Sequence, residues 1–239
     1  MSSDITIVWL RNDLRLEDNP ALHYANEYAT TNNSKISIIY ILENFKSLST
    51  DMGSASKWWL HNSLKKLNED FSKNLSEAND FDINLFKGDP EEIFSVLMKQ
   101  IKINGIFWNR RYEAKCVEKD KQIKSKFKSL NINVQTYNGK VLVEPWNIKG
   151  KQNQNLKVFT PYKNSLLGNH LIPEPLPTTK IKSHFKLSSS LKLNELNLIS
   201  ENWMKKFDSI WNVGERAASV KLDTFILNQI DDYDQDRNF

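Results

Sequence analysis

The sequence predicts a doubly wound α/β domain, and three observations carry that prediction. Five short β-branched or aromatic runs alternate with helical patterns up to about residue 140. Three of those runs are almost continuously apolar, as parallel strands covered on both faces must be. The strand–helix units recur every ~30–40 residues, the size of a right-handed βαβ crossover.

The elements follow in order. ITIVWL (5–10) is the first strand, and Asn19 with Pro20 opens the first helix as N-cap and first helical residue. KISIIYIL (35–42) is the second strand. The second helix starts near Ser54 and lines up Leu60, Leu64, Leu67, Phe71 and Leu75 in one apolar stripe. INLFKG (83–88) is the third strand. Asp89 then caps a helix with Pro90 at its first position, and Glu91 and Glu92 meet the positive end of its dipole. GIFWN (105–109) is the fourth strand, residues 111–130 carry a weakly amphipathic, strongly charged helix, and NVQTY (133–137) closes the sheet. Ligands of such sheets sit beyond the carboxyl ends of the strands. The residues after Leu10, Leu42, Gly88 and Asn109 are therefore the ones to inspect.

From 141 to 200 the pattern gives way to Asn, Lys, Ser and Pro, with PEPLP (173–177) as an extended connector. Helical periodicity returns near the end, where Ala218, Leu222, Phe225, Ile226, Ile230 and Tyr233 form a stripe. Fewer than the ~40 residues a region needs to fold alone surround that stripe, so it requires a partner. The division expected is 1–140 for the α/β domain, 141–200 for the connector and 201–239 for the start of a helical region.

Composition narrows the function classes. Of 239 residues 39% are hydrophobic and 11% aromatic, enough for a core. The 33 basic and 29 acidic residues leave a net +4, which permits an anionic partner without requiring one. Cys116, the single cysteine, excludes an intrachain disulfide and suits a reducing compartment. The apolar run Ile5–Leu10 has no basic residue before it and is too short for a signal core or a membrane span. The expectation is a soluble, cytoplasmic, monomeric protein with no membrane partner.

Several chemistries lack support. No GxGxxG follows the first strand, no P-loop occurs, and no G-x-S-x-G frames a nucleophile. His23, His61, His170 and His184 lack metal-ligand spacing, so no metal site is assigned. WLRNDLRLEDNPAL (9–22) places Arg11, Asp13 and Arg15 at a strand's carboxyl end, either as a ligand site or, the favoured reading, as a salt-bridge lattice fixing the loop and capping the next helix. FWNRRYEAKC (107–116) reads equally as a grip for a flat heteroaromatic or as basic surface. KVFTPYKNSLL (157–167) mixes aromatics with lysines; a packed connector is favoured there over a nucleic-acid contact. Cys116 reads as a bystander.

Taken together, VWLRNDLRLEDNPAL, GSASKWWLHNSLKKL, FWNRRYE, VFTPYKNSLL and WNVGERAASVKLDTFILNQIDDYDQDRN resemble the photolyase/cryptochrome family, in order and along essentially the whole chain. The resemblance implies an α/β antenna domain, a long connector and the first helices of an all-helical FAD domain, so the sequence reads as the N-terminal part of a longer protein. It implies a class I-like deoxyribodipyrimidine photolyase that repairs cyclobutane pyrimidine dimers in damaged DNA by electron transfer from reduced FAD. This chain by itself would be inactive and would contribute no catalytic residue. Tyr233 matches a tyrosine that contacts FAD, and Arg237 an arginine near the DNA. Glu43, Ser56, Arg111 and Glu113 align with regions that contact an antenna chromophore, methenyltetrahydrofolate or 8-hydroxy-5-deazaflavin. Folate-binding members carry Asn-Glu where this chain has Lys115 and Cys116, which speaks against folate and leaves a deazaflavin or no antenna open. Trp9, Trp58, Trp59, Trp108, Trp146, Trp203 and Trp211 all precede the family's electron-transfer tryptophans. A blue-light signalling cryptochrome and a stand-alone module for a pterin- or nucleotide-like ligand are the alternatives.

Overall fold

The computed structural model describes residues 4–43, 52–74, 81–170, 172–181, 184–199 and 204–237. Five strands, β1 (Ile5–Leu10), β2 (Lys35–Glu43), β3 (Asn84–Gly88), β4 (Ile103–Asn109) and β5 (Asn133–Tyr137), form one parallel sheet in the order β3-β2-β1-β4-β5. The fold class expected from the sequence is the one observed. Strand β4 starts two residues before the apolar run suggests, because Ile103 pairs with Ile5 across a register shift.

Alternation along each strand sorts the core into two layers. Val8, Leu10, Ile38, Tyr40 and Phe107 face α1 (Pro20–Thr31) and α2 (Ser54–Asn74), whose Leu22, Ala25, Leu64, Leu67 and Phe71 fill that side. Ile7, Trp9, Ile39, Ile106 and Trp108 face α3 (Pro90–Gln100) and α4 (Ala114–Ser129), which supply Phe94, Leu97, Ile123 and Phe127. Each of these buried large side chains contributes about 1.5–3 kcal/mol. Gly105 permits the close approach of α1: a Cβ there would stand 2.9 Å from ring atoms of both Phe107 and Tyr28.

The caps form as the sequence indicates. Asn19 accepts from the Leu22 amide, and Asp89 accepts from Glu91 and Glu92. The charged helix is shorter than the 111–130 expected, because Arg111 and Tyr112 stay outside it, Glu113 is extended at the N-cap position and α4 begins at Ala114. Leu75, the last member of the α2 stripe, lies outside the described residues.

The connector carries more structure than its composition suggests. A 310 turn (Pro145–Asn147) and α5 (Phe159–Asn169) interrupt it. Helix α5 is largely exposed, with Phe159 at 76%, instead of packed. Beyond it Ile181, Leu187, Leu196 and Leu198 are buried against the sheet layers. Leu191 bridges to the β3 edge, and Asn84 receives the Leu187 amide at 2.8 Å.

The last segment holds α6 (Lys205–Asp208), α7 (Glu215–Asn228) and α8 (Tyr233–Asp236). The stripe from Ala218 to Tyr233 does not run on one helix: Gln229 closes α7, and a turn separates it from α8. Trp58 of α2, 3% exposed, anchors this segment by packing with Met204, Val213 and Phe207 and donating from Nε1 to Asp208. Among the described residues no helix is long and apolar enough to cross a membrane.

Candidate functional site at the carboxyl edge of the sheet

The strand ends converge on a buried ionic network. Arg11, the first residue after β1, donates Nη1 to both oxygens of Asp120 at 2.8 Å and Nη2 to the Asn109 carbonyl. Arg111, just past β4, donates to Glu43 at 2.7 Å and to Asp120 at 3.1 Å. The Arg11 and Arg111 side chains are 3% and 9% exposed and those of Asp120 and Glu43 12% and 7%, so the four charges share one low-dielectric site. The Arg11 guanidinium also lies 4.7 Å from the Trp9 ring centroid, a cation–π contact.

Burial sets the electrostatics. Desolvation pulls the Arg11 pKa down, opposed by Asp120. Desolvation also raises the Glu43 pKa, opposed by the attraction and hydrogen bond of Arg111. For Arg111 itself burial works downward, but Glu43 and Asp120 outweigh it and the pKa is raised.

The loop after β1 is held by its own polar residues. Asp13 accepts from the Arg11 amide at 2.7 Å and from Asn109 at 2.6 Å, while Asn109 also donates to Asn19 and accepts from the Ala21 amide. Arg15 donates to the carbonyls of Glu17, Asp18 and Gly139. Asp18 adopts φ +47, left-handed and sparsely populated for a non-glycine residue, and exchanges two hydrogen bonds with Leu176 of the connector. Glu215, in the first turn of α7, accepts from the Leu16 and Glu17 amides, both at 2.8 Å. One loop therefore ties the sheet to the connector and to the helical segment.

A groove of about 840 Å³ opens beside this loop. Tyr40, Ser56, Trp59 and Leu60 line one side, and Gly214, Ala218 and Leu222 of the helical segment line the other. Its volume suits a drug-sized ligand, and the 44%-exposed Trp59 indole offers a stacking surface for a flat heteroaromatic. The residues present fit a planar chromophore on those grounds.

The antenna candidates fall into three places. Glu43 and Arg111 meet in the buried network, and Ser56 lines the groove. Glu113 joins neither; it pairs with Lys140 at 2.8 Å on the surface. Tyr233 is 51% exposed with its ring edge toward Phe225, and Arg237 reaches Asp234 only at 3.9 Å. The described residues around these two do not enclose a flavin. Cys116 is half-buried and its thiol pKa is raised by burial. Asp120, Asn109, Trp59 and Glu215 went unselected in the sequence. For Asp120 the one signal was an acid at a buried register of α4, three positions before Ile123 and seven before Phe127.

A doubly wound parallel sheet with a groove at its carboxyl edge, followed by a connector and a helical segment, defines an open α/β fold of the class that presents the carboxyl ends of its strands to ligands. The family model described as DNA photolyase matches residues 6–180, and the chain belongs to the DNA photolyase family. It is 33% identical over 236 residues to the deoxyribodipyrimidine photo-lyase of Agrobacterium fabrum, covering 98% of this chain and 47% of that protein. It is 28% identical over 240 residues to Cryptochrome-2 of Arabidopsis thaliana, covering 95% and 37%. The crystal structure of a bacterial class III photolyase from Agrobacterium tumefaciens superposes with a TM-score of 0.80 at 31% identity, covering 95% of this chain and 45% of that one. The chain spans about half the length of the curated relatives it matches.

Proposed function

We propose that this chain is the antenna-domain half of a photolyase that repairs cyclobutane pyrimidine dimers in DNA with light. The observation that carries the proposal is the 33% identity to a deoxyribodipyrimidine photo-lyase, sustained over 98% of the chain. In the complete protein reduced FAD, when bound, would supply the electron for splitting the dimer. The residues of this chain have other tasks. The groove at the sheet edge stacks a light-harvesting chromophore on Trp59, and the Glu215 contacts hold the helical segment against that edge. Tyr233 is assigned to the flavin and Arg237 to the damaged DNA, both completed by groups outside this chain. A dimer disrupted in its stacking is cheaper to extrude than a paired base, and phosphate contacts make binding salt-dependent.

The test is repair of a thymine-dimer oligonucleotide by a longer reading frame containing this chain, purified with reduced flavin and illuminated. Light-dependent restoration of intact thymines supports the proposal. Flavin photoreduction without repair supports the cryptochrome reading, which the 28% identity to Cryptochrome-2 favours as second choice. The 239-residue chain alone is expected to repair nothing; stoichiometric FAD and light-driven repair by it would refute that division of labour.

A further inference from the structure

The connector holds a stretch without acids. Between Glu144 and Glu174 no acidic residue occurs, although the whole chain has 29 among 239 residues. The same stretch carries four lysines, Lys149, Lys151, Lys157 and Lys163. Lys149 donates to the Asn155 side chain, and none of the four forms an ion pair among the described residues. The charged helix α4 differs: its Lys119 and Lys126 are taken by Asp89 and Glu91, both at 2.8 Å. Glu144, the acid that precedes the stretch, is taken by Arg110 at 2.6 Å. The connector therefore presents positive charge that no neighbouring carboxylate cancels.

The stretch folds into one platform. The Gly150 amide donates to the Gln154 carbonyl at 2.9 Å and closes a turn over 149–155. Ser165, buried on the inner side of α5, donates to the Lys149 carbonyl at 2.8 Å and holds helix and turn together. With Ser165 inward, Phe159, Lys163 and Leu167 follow one another at every fourth residue along the outer side. Trp146, Val158, Phe159 and Leu167 are 50–76% exposed.

The pattern of that outer side selects the partner. A lipid surface requires an unbroken apolar face with the cations set opposite. Here Lys163 stands between Phe159 and Leu167, and Thr160 and Asn164 share their exposed side. Exposed rings set among lysines and side-chain amides suit a single nucleic-acid strand, whose bases stack on the rings while the lysines track its phosphates. A duplex keeps its bases stacked on each other and offers none to Phe159.

We propose that the outer face of α5, with the turn before it, binds single-stranded nucleic acid without sequence preference. Phe159 stacks a base, and Lys151, Lys157 and Lys163 contact phosphates. This surface belongs to the connector and requires neither a lesion nor a flavin.

Fluorescence anisotropy tests it, with a labelled oligo(dA) of about twelve nucleotides titrated in the dark with the 239-residue chain. Adenine forms no pyrimidine dimer, so lesion recognition contributes nothing to the signal. Saturable binding is expected, at least tenfold tighter than to the same strand paired with oligo(dT). Log affinity should fall against log salt with a slope of about −2, from three phosphate contacts at ~0.7 each. Phe159→Ala should weaken binding about tenfold, the loss of one stacked base. Lys157→Gln combined with Lys163→Gln should flatten the slope by about 1.4. Lys73→Gln combined with Lys102→Gln removes the same charge from other exposed positions and should leave the slope unchanged. All these side chains are exposed, so each variant should keep the wild-type circular dichroism. Absent binding, equal affinity for the duplex, indifference to Phe159→Ala, or an equal slope change in the Lys73 and Lys102 variant overturns the site. Co-sedimentation with phosphatidylcholine–phosphatidylserine vesicles in place of oligonucleotide binding overturns it as well.

Discussion

The α/β region and the helical segment carry the same kind of apolar patterning and meet opposite fates. In the sheet, Ile7, Val8, Trp9 and Leu10 are all at 0% exposure, because helices cover both faces. In the helical segment Leu222, Ile226, Leu227 and Ile230 stand 48–79% exposed, because nothing among the described residues lies over them. A stripe specifies that a face is to be buried; only a second surface buries it. The contact that does form between the regions is small and specific, built on Trp58, the Trp59–Trp211 ring pair and the Glu215 carboxylate.

Substitutions can widen or close that contrast. The largest effect is expected at Phe107, 1% exposed between α1 and the sheet: Phe107→Ala should cost about 3–5 kcal/mol in urea unfolding, through lost transfer energy and a cavity. Asp120→Ala follows at about 3 kcal/mol, since it strands Arg11 and strips Arg111 of one partner in a dry site.

Acid comes next. His184 packs on Phe81 at 4.3 Å and donates from Nε2 to the Asp82 carbonyl at 2.9 Å, and burial pushes its pKa down to about 4. The unfolded chain, with an ordinary histidine near 6.5, binds the proton first as pH falls. Stability is therefore lost between about pH 6.5 and pH 4, by about 2 kcal/mol once partial exposure is discounted. His184→Gln should abolish that part of the pH slope when urea midpoints are compared with wild type.

Glu215→Gln replaces one acceptor oxygen with a donor facing an amide, at a cost of about 1 kcal/mol. The readout is amide exchange: faster across 215–228, unchanged in the five strands. Unchanged exchange in α7 would show that the contacts of Trp58 and Trp59 seat the helical segment without Glu215. Smallest of all, Leu227→Ala, at 79% exposure, should shift stability by less than about 0.5 kcal/mol. A shift as large as that of Phe107→Ala would mean that α7 is covered in solution.

The sequence by itself determined the α/β region closely. Period-2 and period-3.6 patterns, the Asn19 and Asp89 caps and the prolines behind them are local signals, and they placed all five strands and the first four helices. The polar run 184–198 was legible only in part: its apolar residues are sparse, and their burial depends on the β2 and β3 edges they meet. Helix α7 was legible as a stripe, but the break after Asn228 was not, because no glycine or proline marks it.

Only the tertiary structure decided the site. Arg11 and Asp120 are 109 positions apart, Glu215 and Leu16 199, and no periodicity relates such residues. The sheet brings them together because parallel strands send all their carboxyl ends to one edge, whatever their distance along the chain. Which of Glu43, Ser56, Arg111 and Glu113 would meet was likewise a matter of packing: two joined the buried network, one reached the groove and one turned to solvent.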